Sequence, residues 1–201
     1  MYGNPPGYPS PEQRRGEKLP PPGLLMGVGS TPVDLSRIPD GILGTESTID
    51  KMKRLAREAY KDERINRLAR MLIANCPPRD YSCEANSIFE WMQSSFRWNR
   101  LPFHPQEALQ RLQTPSETLF DAPSRSGECA SLSCALAALL MSVGFRVAYV
   151  TAGANAGDPN DFEHVYVSAL VNDTFVALDP SYDNPAGWEH PAAKVKRAWQ
   201  F

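Results

Sequence analysis

From Thr45 onward apolar side chains recur at intervals of three and four: Ile49, Met52, Ala56, Ala59 and Tyr60, then Ile65, Leu68 and Leu72. That spacing predicts helix with one face turned to a core. Cys76-Pro77-Pro78 ends it, because proline lacks the N–H a helix needs and disfavours helical geometry in the residue before it. Ser82 is the predicted N-cap of a second helix, on which Ile88, Phe89, Met92 and Phe96 form the apolar stripe and Trp91 flanks it. Residues 101–120 read as a connection with one short helix near Glu107 to Leu112. A further helix opens at Cys129, carries Leu132, Leu136, Leu139, Leu140 and Val143 on its apolar pattern, and takes Gly144 as its C-terminal cap.

Beyond Gly144 the pattern changes to that of strands. Arg146 to Thr151 forms the first, a Gly/Asn/Asp-rich connection runs to Asp161, and two segments rich in strand formers follow, His164–Val171 and Thr174–Asp179. Only Asn172-Asp173 separates them, a pair suited to a tight hairpin turn. Helices followed by strands predict an α+β domain with helices packed on a small antiparallel sheet. If Val171 opposes Thr174, Asp179 faces Tyr166 and His164 faces Ser181. His164 and Asp179 then share one face as diagonal neighbours, about 7–8 Å apart at the backbone, a gap that an imidazole and a carboxylate bridge. A hydrogen-bonded His164–Asp179 pair is predicted.

Residues 1–44 read as a Pro/Gly-rich extended arm, and 45–201 as the domain. Prolines at 5, 6, 9, 11, 20, 21, 22, 32 and 39 oppose both helices and strand ladders. Pro20-Pro21-Pro22 favours polyproline II, and Leu24-Leu25-Met26 with Val28 makes an apolar patch suited to docking on a neighbouring subunit or protein partner. A disordered tail is the alternative.

Cys129 changes the picture most. It stands where Ser126-Gly127-Glu128 gives way to the Leu-rich helix, so its thiol faces unpaired N–H groups and the positive end of the helix dipole. Both favour thiolate over thiol, the form in which sulfur attacks carbonyl carbon. A lone cysteine is commonly a small buried core residue, and a strand histidine or strand-end aspartate is commonly structural. The ordered set of Cys129, His164 and Asp179 carries the chemical reading.

Composition narrows the class. With 21 basic against 23 acidic residues the formal charge is -2, which gives no global electrostatic case for nucleic acid or an anionic membrane. Lys194-Val195-Lys196-Arg197 reads as a solvated face. The opening Met1-Tyr2-Gly3-Asn4-Pro5-Pro6 shows no secretion signal, and the apolar run from Ala135 to Val143 is too short to span a bilayer. A soluble protein of a reducing compartment is expected, cytoplasmic or virion-associated. Cysteines at 76, 83, 129 and 134 do not make a disulfide framework, and Cys76 with Cys83 would pair only under oxidising conditions. The scattered His104, His164 and His190 and the absence of a Cys-x-x-Cys spacing argue against zinc.

These blocks together resemble the transglutaminase-like superfamily, whose fold is related to papain-like cysteine proteases. The resemblance rests on Gly127-Glu128-Cys129 opening an Ala/Leu helix, Val143-Gly144-Phe145-Arg146-Val147, Glu163-His164-Val165-Tyr166-Val167 and Val176-Ala177-Leu178-Asp179-Pro180-Ser181. Upstream, Ile88 to Met92 through Phe96-Arg97-Trp98 is similar to the preceding helix and cleft edge, and Gln113 to Leu119 to a segment of small bacterial and phage-encoded members. The resemblance covers about residues 80 to 190. It implies a papain/transglutaminase-like core and a Cys129–His164–Asp179 triad for peptide or amide hydrolysis or transamidation on a protein or peptide substrate. It implies no metal or organic cofactor. The backbone N–H of Cys129 is the oxyanion donor it offers first, with Trp98 as a second cleft residue. Ala130-Ser131 stand where many small members carry two acidic residues, and the tryptophan that usually follows the cysteine in animal-type members is absent, which leaves hydrolysis broader than cross-linking. A non-enzymatic or dual-role assembly protein, such as a phage virion component docking through its arm, is the competing expectation, and a peptide-binding module without turnover the third.

Overall fold

The computed structural model describes residues 39, 41–98, 112–121 and 125–201. Of the arm expected at 1–44, only 39 and 41–44 lie among the described residues, and 41–44 are already helical, so the first helix starts four residues before the apolar pattern; of the short helix expected near Glu107 to Leu112 only Leu112 is described, and it is not helical. In chain order the elements are α1 (Gly41–Ala59), α2 (Glu63–Ile73), α3 (Tyr81–Ser95), β1 (Arg97–Trp98), a π-helical turn (Glu117–Asp121), β2 (Ser126–Gly127), α4 (Cys129–Ser142), β3 (Val147–Gly153), β4 (His164–Val171), β5 (Thr174–Leu178) and β6 (Val195–Gln200).

The first helical stretch is two helices. Apolar residues recur at three and four from Ile49 to Tyr60 and again from Ile65 to Leu72, and in the gap between them the Asp62 carboxylate accepts the N–H of Arg64 at 2.8 Å and caps a new helix at Glu63. Asp62 also pairs with the Arg64 guanidinium at 3.1 Å and accepts from Ser116 Oγ at 3.1 Å, tying the start of α2 to the segment ahead of the π-helical turn. Helix α3 is capped by Asp80, which accepts the N–H of Cys83 at 3.0 Å, in place of the expected Ser82. The sulfurs of Cys76 and Cys83 are bonded and clip the α2–α3 connection; such a bond persists where the surroundings are oxidising.

Helix α4 is the axis of the core. Every residue from Ala130 to Leu140 is buried, as a helix with apolar residues all round requires when it is covered on all sides. Helices α1, α2 and α3 pack on one side of it and the sheet on the other. Leu132, Leu136, Leu139 and Leu140 are fully enclosed, each burial contributing about 1.5–3 kcal/mol. Gly144 (φ +98°) ends the helix as expected, its N–H donating to Met141 O at 3.1 Å and that of Phe145 to Leu140 O at 3.0 Å.

The sheet is antiparallel with strand order β5-β4-β3-β6. Asn172 (φ 48°) and Asp173 (φ 64°) both take the left-handed conformation that a two-residue hairpin of this twist demands. Val171 opposes Thr174, and the register runs on to Val167 opposite Leu178. Val147, Tyr149, Val165, Val167, Ala169 and Leu178 face α4, while Val150, Ala152, Tyr166 and Ala177 form a smaller apolar cluster on the other face. The Lys194-to-Arg197 run is not merely a solvated face: from Val195 it forms the edge strand β6, paired along β3 from Gly153 to Ala148. Among the described residues no helix is long and apolar enough to cross a membrane.

Candidate active site

Three elements converge on one point. Cys129 is the first residue of α4; the first intrahelical bond closes at Leu132 N to Glu128 O, 3.0 Å, so the amides of the opening turn, that of Cys129 included, lack helical acceptors. Glu128 supplies no side-chain cap. The helix is fixed against β4 by Ser133, whose buried hydroxyl donates to Val165 O at 3.1 Å, one residue beyond His164. That tie sets the depth at which Cys129 meets the strand.

His164 opens β4, and Asp179 follows the last residue of β5. Continuing the ladder one step past Val167 and Leu178 sets Asp179 across from Tyr166, the diagonal placement expected from the sequence. Nε2 of His164 lies 2.7 Å from Oδ2 of Asp179. The other carboxylate oxygen accepts the N–H of Ser181 at 3.0 Å, and Asp179 is buried, so both its oxygens have partners. Cys129 lies close enough to the same imidazole to act on its ionisation. With Nε2 occupied by Asp179, Nδ1 is the ring nitrogen that remains for sulfur. Burial by itself would lower the pKa of His164, but the hydrogen bonds and charges of Asp179 and Cys129 outweigh it and raise the ring to about 10. The ring is therefore favoured as an imidazolium against the Asp179 carboxylate.

The other free thiol differs in kind. Cys134 is fully buried, donates to Met52 O at 3.4 Å, and is pushed up to about 12 by burial.

Trp98, the expected cleft residue, stands half exposed in β1, where its register partner is Gly127, two residues before Cys129. The parallel pairing of β1 with β2 thus brings the end of α3 alongside the segment that leads into Cys129. A Cβ at Gly127 would stand 3.2 Å from Gln113 Oε1, which keeps this approach tight.

The sequence did not single out the aromatic surroundings. Tyr166 stacks on His164, with centroids 6.2 Å apart and planes at 25°, and Tyr182 meets the ring edge-on at 5.5 Å. Trp188 and His190 extend this cluster from Tyr182 at 5.3 and 5.5 Å. Gln93 Nε2 holds the 182–184 segment to α3 by donating to the carbonyls of Tyr182 (2.6 Å) and Asn184 (2.8 Å). A signal was present for Tyr166, which shares the His164 face by strand alternation. The loop aromatics had none. Among the described residues no cluster of three His, Cys, Asp or Glu side chains is arranged to hold a metal ion.

Residues 66–180 match the family model of the transglutaminase-like superfamily. That is more than half of the 201 residues, and the chain belongs to this superfamily. Among solved structures it is similar to a candidate cysteine protease of Cytophaga hutchinsonii, at 15% identity and TM-score 0.46, over 75% of this chain and 52% of that one. It is also similar to a candidate protease of Parabacteroides distasonis, at 14% identity and TM-score 0.50, over 70% of this chain and 26% of that one. The chain thus spans about half of the first protein and a quarter of the second, and the likeness to the second is one of fold. No curated protein matches it.

Proposed function

We propose that this chain is a thiol acyl-transfer enzyme that cleaves an amide or peptide bond through Cys129, His164 and Asp179. The observation that carries the proposal is the imidazole of His164: bonded to a buried carboxylate at 2.7 Å and close enough to the cysteine that opens α4 for that cysteine to raise its pKa. Membership of a superfamily with thiol chemistry supports it, while fold alone leaves the reaction open.

The chemistry follows from the geometry. His164 takes the thiol proton, and the Cys129 sulfur attacks the carbonyl carbon of the substrate. Charge develops on the carbonyl oxygen, where the Cys129 backbone N–H and the Trp98 indole are the donors we assign. The C–N bond breaks as the imidazolium gives its proton to the departing amine, leaving a thioester on Cys129. A second acceptor, water or a primary amine, then attacks the thioester; His164 accepts its proton and returns it to sulfur as the C–S bond breaks. Asp179 keeps Nε2 engaged throughout, orienting the ring and stabilising its charged form. With water the net reaction is hydrolysis, with an amine it is transamidation.

The test is capture of the thioester. On mixing with p-nitrophenyl acetate, the peptide containing Cys129 gains one acetyl group, as read by mass spectrometry, and loses it on standing. Added dansylcadaverine is acetylated only if amines are accepted. No acetyl on Cys129, or the same amount in His164→Ala, would overturn the proposal.

A further inference from the structure

The face of the sheet that carries His164 has a second chain of contacts. Its rows are set by the register: Lys196 of β6, Ala152 of β3 and His164 of β4 lie in one row, and Ala198, Val150 and Tyr166 in the next. Tyr166 therefore stands beside His164 on the same face and across from Asp179. Only 3% of it is exposed, so its ring has little freedom to turn. Its hydroxyl donates to one oxygen of Glu189. The other oxygen of Glu189 accepts from Lys196 Nζ at 2.7 Å. The phenol is also held in its neutral, donating form: burial, the bond to Glu189 and the charges of Glu189 and Asp179 all oppose its ionisation.

The consequence falls on the imidazole. A histidine bonded through Nε2 alone can rock about that bond, and any rocking moves Nδ1 relative to sulfur. The stacked face of Tyr166 blocks one side of the ring and the edge of Tyr182 meets it as well. Tyr182 is 37% exposed, whereas Tyr166 is buried and tied at its far end. Glu189 is itself anchored, since its second oxygen is held by Lys196 of the edge strand.

We propose that Tyr166, fixed by Glu189 and Lys196, is the positioning residue that holds the His164 imidazole in line between Asp179 and Cys129. The inference rests on the thiol-enzyme reading for its catalytic meaning, but the ring geometry can be tested by itself. Tyr166→Phe keeps the stack and removes the tie; Tyr166→Leu removes both. Two readings are taken on the full chain: water exchange of the His164 Nε2–H proton by NMR, and the rate of Cys129 alkylation by iodoacetamide. Tyr166→Phe is expected to speed the exchange and slow alkylation by about threefold to tenfold, in keeping with the worth of one hydrogen bond, and Tyr166→Leu by more, because it also loses the aromatic contact. Exchange in both variants equal to wild type would overturn the proposal. So would a fall in thermal stability with the His164 signal unaltered, because that is the mark of a merely structural tyrosine. If wild-type Cys129 is no more reactive than Cys134 while the exchange responds as expected, positioning of the ring stands and the thiol-enzyme reading fails.

Discussion

Replacing Asp179 by asparagine removes a charge and leaves the shape. The wild-type ring is raised from 6.5 to about 10, which corresponds to a preference of about 5 kcal/mol for the protonated form in the folded chain. Because the folded value lies above the unfolded one, this stabilisation is complete below about pH 6.5 and is lost as pH rises through about 10. Asp179 supplies a hydrogen bond and a charge toward that rise, with Cys129 supplying the rest. Loss of a neighbouring carboxylate charge should lower His164 by about 1–3 pH units, or about 1.5–4 kcal/mol. The assay pairs NMR titration of His164 with urea unfolding at pH 6 and pH 10 for wild type and Asp179→Asn. The stability gap between the two proteins should be widest at pH 6 and narrow by pH 10. A ring titrating at the same pH in both proteins, or a gap that widens toward alkaline pH, would refute the linkage.

Other outcomes follow from single contacts. A Cβ at Gly153 would fall 1.8 Å from the carbonyl oxygen of Asp161, so Gly153→Ala must push the 154–163 connection off β3; a loss of about 1–3 kcal/mol in urea unfolding is expected. Asp173 sits at φ 64° in the hairpin turn, and Asp173→Gly should stabilise by about 0.5–1 kcal/mol by removing the cost of a left-handed conformation, read as a higher urea midpoint. Leu136→Ala, at a site with no exposure on α4, should cost about 2–5 kcal/mol by the same assay.

Much of the site was legible because it depends on local rules. Asn172-Asp173 fixed the hairpin turn, the turn fixed the register, and the register placed His164 and Asp179 within reach of each other. The position of Cys129 at a helix start needed only Gly127-Glu128 followed by an apolar run. The approach of Cys129 to His164 was not legible, since it depends on how α4 seats on β4, a matter of Ser133, the leucines and the sheet together. The break at Asp62 left only a faint trace: the apolar spacing has the same period on both sides, and the single longer interval from Tyr60 to Ile65 marks the cap between them. Strand β6 was hidden by its edge position: Lys196 and Arg197 are exposed, so its composition is that of a surface. Strands β1 and β2 are two residues each and leave no periodic trace.

The central claim is that Cys129 and His164 act as one unit. Its most direct test is the rate of iodoacetamide alkylation of Cys129 against pH, followed by peptide mass spectrometry in wild type and His164→Ala, with buried Cys134 as the internal reference. If the two act together, Cys129 labels rapidly at about pH 6, where an ordinary thiol is almost wholly protonated, and labels markedly more slowly when His164 is removed. Labelling of Cys129 that begins only near the ordinary thiol range, at the same rate with and without His164, would contradict it.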